Sequence, residues 1–362
     1  MALPDLIEIV PLAEPVQAHV TVPGSKSITN RTLILAALAN GKTTLSGALW
    51  SEDTQIMVGA LQAMGFGVTV ANDPAESCNR TITVQGEGGR IPHLPEEIFV
   101  GNAGTAARFL AALVCLGKGT VKLHGIDRMH QRPQAELFQA LRALGYTVES
   151  PNDKLPVVIH GSGPREAEGT VSLLESSQFA SALLLTASTS GWQVSMRGAS
   201  PDDAPYVRMT QELIAEFPKG GGTFAIEPDA SSGSYFWGVN TFAEGVEVAH
   251  WPLTGWQIDA QFTRFLSPPR EVSRQTDLGD SIMTAITLAP LQDRPTSFTD
   301  LGRLRVQECE RVQALRTELV KCGARITETG DTLYVEPSPD LCGAEIETYN
   351  CLLYTSPSPR DA

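Results

Sequence analysis

The stretch Pro23-Gly24-Ser25-Lys26-Ser27-Ile28-Thr29-Asn30-Arg31 concentrates anion-binding chemistry. It follows a strand-like run, Ala18 to Val22, and opens a helix through Leu38. Its backbone N–H groups and Ser hydroxyls therefore lie at the positive end of a helix dipole. Lys26 and Arg31 add cations there, the Arg as a bidentate fork for phosphate or carboxylate, the Lys as a point charge that can give up a proton. Gly101-Asn102-Ala103-Gly104-Thr105-Ala106-Ala107-Arg108 opens a second helix in the same way, with glycines that let an anion approach the backbone. Ser176-Ser177-Gln178 opens a third, and Arg132-Pro133 sets a cation before the helix Gln134 to Leu144. Taken singly, each reads as a helix cap. Their recurrence points to a cleft lined by helix N-termini and suited to a multiply anionic ligand.

Two carboxylates lie further along the chain. Asp280 follows Leu278-Gly279 and begins a helix Ser281 to Ala289, and Glu308 lies in Arg303-Leu304-Arg305-Val306-Gln307-Glu308-Cys309-Glu310-Arg311. Asp280 reads equally as an N-cap, and Glu308 as a helix-face charge paired with Arg311 at i,i+3. The residues alone leave both roles open.

The elements that must carry these groups repeat. A helix that ends in Gly and runs on into a strand occurs at Leu61 to Val68 around Gly65, at Leu141 to Val148 around Gly145, and at Leu319 to Ile326 around Gly323. Clusters of Gly, Ser, Asn or Asp precede helices of small apolar residues before Leu33, Ala106, Phe179, Tyr235 and Ile282, which is N-cap chemistry. Runs rich in β-branched residues alternate with them: Thr120 to Leu123, Val157 to His160, Val194 to Met196 and Leu333 to Val335. The class is thus α/β or α+β, built from units of about 75 to 80 residues, with a crossing between two domains near Glu227-Pro228-Asp229.

Composition narrows the field. The 362 residues are 42% hydrophobic and 19% charged, a folded-protein balance that excludes a disordered, collagenous or coiled-coil chain. A net charge of −14 disfavours nucleic acid and anionic membrane surfaces, so an anionic ligand must be caught by a local cluster of cations. The six cysteines (Cys78, Cys115, Cys309, Cys322, Cys342, Cys351) form no CxxC and keep no ligand spacing with the histidines, which reads as a reduced, metal-free protein. Met1 to Pro11 has no Lys or Arg, and the apolar run Phe109 to Leu116 is too short to span a bilayer; the expected location is the cytoplasm. From Cys351 to Ala362 the chain loses all periodicity and resembles a translated sequencing adapter, so residues 351–362 are expected to be non-native.

With these motifs in order, the chain resembles the EPSP synthase family of enolpyruvyl transferases from about Val20 to Asn350. The likeness rests on Pro-Gly-Ser-Lys-Ser…Asn-Arg, Gly-Asn-Ala-Gly-Thr-Ala…Arg, Arg128-Met129…Arg132-Pro133, Ser-Ser-Gln-Phe, Asp229-Ala-Ser-Ser…Ser-Tyr-Phe, and Arg305-Val…Glu308…Arg311. The resemblance implies a two-domain inverted α/β barrel of repeated βαβαββ units whose helix N-termini face an interdomain cleft. Residues 23–227 would form an inserted N-terminal-type domain. Residues 1–22 and 228–350 would form a C-terminal-type domain with its last repeat incomplete. The implied reaction transfers the enolpyruvyl group of phosphoenolpyruvate to the 5-hydroxyl of shikimate 3-phosphate by addition and elimination, on the route to chorismate and the aromatic amino acids. No cofactor or metal is implied, the only partners are the two small-molecule substrates, and a monomer is expected.

Carried over by motif, Lys26, Ser27, Arg31, Ser176, Ser177, Gln178, Tyr206, Asp280 and Gln307 would bind shikimate 3-phosphate. Lys26, Asn102, Gly104, Arg132, Gln178 and Arg311 would bind phosphoenolpyruvate. Asp280 would accept the hydroxyl proton, with Lys26 and Glu308 as the other catalytic groups. The chain also departs from the family pattern. Gln307 replaces a common Lys, Arg303 stands near a substrate-contacting Asn, Ser200 to Ala204 replaces a shorter segment, and Phe109 replaces a Pro near the phosphoenolpyruvate pocket, which implies altered glyphosate sensitivity. The family continues after Tyr349-Asn350 with Asp-His-Arg and a later Lys, so low activity and an open sheet edge are expected here. The rival readings are a UDP-N-acetylglucosamine enolpyruvyl transferase, although Cys115 lies in an apolar helix and not on a mobile loop, and a noncatalytic anion-binding fragment.

Overall fold

The computed structural model describes residues 6–10, 14, 16–173, 176–198, 204–242 and 245–349. The segment Ser200 to Asp203 and the tail from Cys351 lie outside the described residues.

Three four-stranded sheets share one topology, a parallel outer strand followed by two antiparallel pairings. In spatial order the first is Gly222–Ala225, Lys42–Ala48, Arg80–Gln85 and Gly67–Asn72. The second is Glu97–Phe99, Lys118–His124, Val157–Ser162 and Thr147–Glu149. The third is Glu271–Ser273, Thr296–Thr299, Thr332–Glu336 and Arg325–Thr329. In the first sheet the outer strand returns from much later in the chain. Two further parallel pairs complete the described strands: Ala167–Ser172 with Trp192–Arg197, and Ala18–Val20 with Val246–Val248.

The three helix-ending glycines, Gly65, Gly145 and Gly323, have φ of +85°, +88° and +91°. That is the left-handed conformation that terminates a helix and turns the chain into the following strand. A second pair of glycines shows the repeat from the inside. A Cβ on Gly86 would stand 2.4 Å from the carbonyl oxygens of Ala36 and Ala39, and one on Gly161 would stand 2.4 Å from that of Val114. In both units the end of a helix rests on bare backbone of the sheet.

Alternation puts Leu45, Ile82 and Val84 in one core and Phe298, Leu333 and Val335 in another. Most buried apolar side chains fall into these two clusters, a larger one drawn from Ile28 to Ile226 and a smaller one from Phe262 to Val335. The chain passes between them at one place. Ser25 N–H donates to Glu227 O (2.8 Å), Asp229 N–H donates to Pro23 O (2.8 Å), and Gly24 bridges Pro228 in antiparallel sense. Among the described residues no helix is long and apolar enough to cross a membrane.

Of the five expected N-caps, only two bond their own helix. Ser176 accepts from Gln178 N–H, and Asp229 from Ser232 N–H. The helices Lys26–Leu38, Gly104–Leu113 and Ile282–Leu288 have no side-chain cap. Their first N–H groups are left for something else to satisfy.

Candidate functional site

A cleft of about 1340 Å³, partly open to solvent, runs between the two cores. Seven Lys and Arg side chains line it against four carboxylates, in a chain whose net charge is −14. The local excess of positive charge expected from the sequence is therefore present; Lys26, Arg31 and Arg108 come from the helices Lys26–Leu38 and Gly104–Leu113, and Arg132, Arg274, Arg303 and Arg311 from elsewhere in the chain.

Lys26 is the first residue of its helix, with its ammonium 3.8 Å from the buried Asp53 carboxylate. Burial opposes its charge, but Asp53 and Glu308 outweigh that and hold its pKa above the ordinary lysine value. Arg31, one turn on, is 2% exposed and makes four bonds to protein: to Thr210 Oγ1 (2.7 Å), Ser27 O (2.9 Å), Ser181 Oγ (3.1 Å) and Tyr206 O (3.3 Å). With burial and no carboxylate among these partners, its pKa falls to about 10. Phe109 does not line the cleft; its ring packs 5.4 Å from the Arg31 guanidinium and is fully buried.

On the Gly104 side two guanidiniums meet. Arg108 donates to Gln178 Oε1 (3.1 Å) and Pro133 O (2.9 Å), and Arg132 to Asn102 O (2.8 Å). A Cβ on Gly104 would lie 2.4 Å from Arg108 Nη1 and 2.5 Å from Arg132 Nη2, so this glycine makes room for both. Nε of each arginine is buried without a hydrogen-bond partner. Asn102 and Gly104 are not among the residues that line the cleft; Asn102 holds Arg132 through its backbone oxygen.

Asp280 is not a cap. It sits in a tight turn, Gly279–Ser281, after a wide π-type turn, Arg274–Leu278, and this pair of turns folds Arg274 back onto it. Arg274 Nη2 lies 2.6 Å from Asp280 Oδ1, and Arg311 Nη1 lies 3.8 Å from Oδ2. Burial opposes the Asp280 carboxylate, yet these two cations lower its pKa and keep it ionised. Glu308 lies in the turn between Leu301–Val306 and the helix Arg311–Lys321, not on a helix face. It lies 2.7 Å from Arg311 Nη2 and 3.8 Å from Arg132 Nη2. Burial again opposes it, and Arg311, Arg132 and Lys26 together hold its pKa far below the carboxylate range. Glu308 is therefore ionised. Gln307 accepts from Arg311, so its amide is turned toward that arginine.

Tyr206 donates to Asp259 Oδ2 (3.4 Å), and Asp259 Oδ1 accepts from Ser281 N–H (2.7 Å). Burial, then the Asp280 charge, raise Asp259 to about 7. Sequence reasoning passed over Asp259, Asp53 and Arg274 and gave Arg108 no role. Asp53 reads as an ordinary first-turn acid after Ser51, and nothing in the spacing of Arg274 and Asp280, six residues apart, suggests contact on an α-helix.

The raised Asp259 has a measurable consequence. Its folded pKa of about 7 exceeds the unfolded value of about 4, so between those limits the folded chain binds more protons and stability falls as pH rises. Urea unfolding across pH 4 to 7 should show this decline. Asp259→Asn, which keeps an oxygen for Ser281 N–H, should flatten it by roughly 2–4 kcal/mol. Superimposable pH profiles for the two proteins would refute the assignment.

The profile of the family described as EPSP synthase (3-phosphoshikimate 1-carboxyvinyltransferase) matches residues 11–219 and 268–352. The chain is 37% identical to a 3-phosphoshikimate 1-carboxyvinyltransferase of Opitutus terrae over 96% of its own length and 88% of that protein. It is 33% identical to one of a Nostoc species, over 96% and 90%. Its fold is similar to that of an EPSP synthase from Acinetobacter baumannii, with TM-score 0.73, 20% identity and coverage of 94% and 88%. It is also similar to the enolpyruvyl transferase NikO from Streptomyces tendae, with TM-score 0.63, 15% identity and coverage of 91% and 84%.

Proposed function

The chain belongs to the EPSP synthase family, and from that premise we propose that it transfers the enolpyruvyl group of phosphoenolpyruvate to the 5-hydroxyl of shikimate 3-phosphate, releasing inorganic phosphate. The observation that carries the reading is the pairing of an ionised Asp280 with Glu308 across a cleft of buried arginines. Two anions need those cations, and the reaction needs a base for the hydroxyl and an acid for the methylene carbon.

Asp280 takes the 5-hydroxyl proton as the oxygen attacks C2 of phosphoenolpyruvate, while C3 receives a proton and the tetrahedral adduct forms. Glu308 is ionised while Arg132 and Arg311 face it. Phosphoenolpyruvate drawn onto those arginines weakens their hold, so Glu308 takes up a proton as the ligand binds and can deliver it to C3. In the second step C3 returns a proton to Glu308, the double bond re-forms, and phosphate leaves with the proton held on Asp280. Lys26, kept charged by Asp53 and Glu308, holds both ligands in reacting geometry. Ser27, Arg31, Ser176, Ser177, Gln178 and Tyr206 seat shikimate 3-phosphate in this reading. The two cores support a division into 23–227, inserted in 1–22 plus 228–350. In this reading the chain acts as a cytoplasmic monomer.

Single-turnover phosphate release tests the reading. Phosphate should appear when both substrates are mixed with the chain and should not appear with either substrate alone. Release from phosphoenolpyruvate without shikimate 3-phosphate would overturn it.

A further inference from the structure

Arg128 sits on the five-residue helix Asp127–Gln131, one turn before Arg132, and does not line the cleft. Its guanidinium reaches across to the other core instead. Nη2 and Nε both donate to the backbone oxygen of Gln307, at 2.8 and 3.2 Å, although the two residues lie 179 apart in sequence. The neighbouring Met129 is buried in the larger core, and Leu304, shortly before Gln307, in the smaller one. The contact therefore joins the two. The other partner of Arg128 is the Gln131 amide oxygen at 3.5 Å, and among the described residues no carboxylate pairs with it. A partly buried cation thus gives one edge of its fork to a single carbonyl.

The peptide that owns this carbonyl gives the contact its consequence. A peptide unit is planar, so the Gln307 oxygen and the Glu308 N–H are fixed together and point in opposite directions. That N–H acts on the Glu308 carboxylate. Burial opposes the carboxylate's charge, Arg311, Arg132 and Lys26 favour it, and the residue's own N–H adds to them. A cation on the oxygen polarises the peptide and strengthens what the N–H donates. Gln307 is extended, with φ −87° and ψ −151°, and lies between the turn Leu301–Val306 and the helix Arg311–Lys321, outside both.

Arg132 meets the carboxylate of the same residue, Nη2 to Oε1 at 3.8 Å. One short stretch of chain therefore grips Glu308 twice, at its peptide through Arg128 and at its carboxylate through Arg132. Two cations a turn apart are unfavourable by themselves: burial, and with it the charges of Arg311 and Arg128, works against the Arg132 charge. Glu308 and Asp53 offset this.

We propose that Arg128 is a positioning residue for proton transfer at C3: it holds the Gln307–Glu308 peptide from across the cleft and keeps the Glu308 carboxylate aimed beside Arg132, where the methylene carbon must come. The assignment rests on the function proposed above, in which Glu308 gives a proton to C3 and takes it back. Arg128 lies outside the cleft lining, so its effect on the reaction passes through Glu308. Misplacing a reacting group by about 1 Å costs on the order of 10²-fold in rate.

A double-mutant cycle tests this, read by single-turnover phosphate release from the whole chain with both substrates saturating. Arg128→Gln should slow release roughly 20-fold, while the phosphoenolpyruvate concentration giving half the maximal rate changes by less than about threefold. Arg128→Lys, which keeps the charge and a donor but not the fork, should recover part of the rate. In a Glu308→Gln background, where this side chain can no longer carry the proton, Arg128→Gln should cost less than about twofold. An equal fall in both backgrounds would mark a general structural contribution and overturn the assignment, as would an unchanged rate or a loss confined to phosphoenolpyruvate affinity. A wild-type chain that releases no phosphate from the two substrates would instead bring down the proposed function, and this assignment with it.

Discussion

Asp280→Asn lowers kcat about a thousandfold while shikimate 3-phosphate still binds within an order of magnitude of the wild-type affinity. The expectation follows from what the substitution keeps and what it removes. The amide retains an oxygen toward Arg274, now 2.6 Å from the carboxylate, so the turn Gly279–Ser281 is held in place. What is lost is the acceptor for the 5-hydroxyl proton, and a positioned general base contributes roughly 10²–10⁴ in rate. Rapid-quench measurement of phosphate release, run beside equilibrium binding of shikimate 3-phosphate, distinguishes this from a binding defect. A variant that turns over at a tenth of the wild-type rate or faster would remove Asp280 from the mechanism.

Glu308→Ala should have its largest effect on stability. The carboxylate is 9% exposed and stands among Arg311, Arg132 and Lys26, of which Arg311 and Arg132 are nearly fully buried. Removing it leaves Arg132 without its carboxylate and Lys26 and Arg311 only with Asp53 and Asp280 at 3.8 Å, and breaking a buried pair in this way costs about 3–5 kcal/mol. Urea unfolding should show that loss in the ligand-free chain. Added phosphoenolpyruvate should restore part of it, because the ligand puts negative charge back among the same cations. A ligand-free variant as stable as wild type would show that Glu308 does not balance them.

The repeats were legible because glycine has few substitutes. Gly65, Gly145 and Gly323 each needed a left-handed φ, and the strand runs after them alternated as a half-buried strand must. The anion-binding helix starts were legible for a related reason, since Lys26, Arg132 and Ser177 occupy positions that local chemistry already marks. Asp280 and Glu308 were not decided by their surroundings in sequence, where each reads equally as a cap or a surface charge; resemblance assigned them roles. Arg274 escaped notice because its contact depends on consecutive π and 3₁₀ turns, whose geometry no simple periodicity announces. Asp53 escaped because its partner, Lys26, lies on a different helix, and an acid in a helix's first turn has a sufficient local explanation. The cap clusters misled in a useful way, because three of the five helices have no side-chain cap of their own, and the first N–H of one of them, that of Lys26, goes to Asp229 instead.

The joint where the chain passes between its two cores has a mechanical consequence. Pro23 to Ser25 and Glu227 to Asp229 are bonded to each other side by side, so together they act as one hinge pin. Lys26 is the next residue, and its own N–H is tied to Asp229 Oδ2 at 3.1 Å. A group on the axis of a door hardly moves as the door swings, whereas Arg303, Glu308 and Arg311 ride on the leaf. If the cleft opens and closes about this axis, Lys26 keeps its place at every angle and the distal groups arrive only on closure. A ligand that first lands at the pin is held while the rest of the site assembles around it.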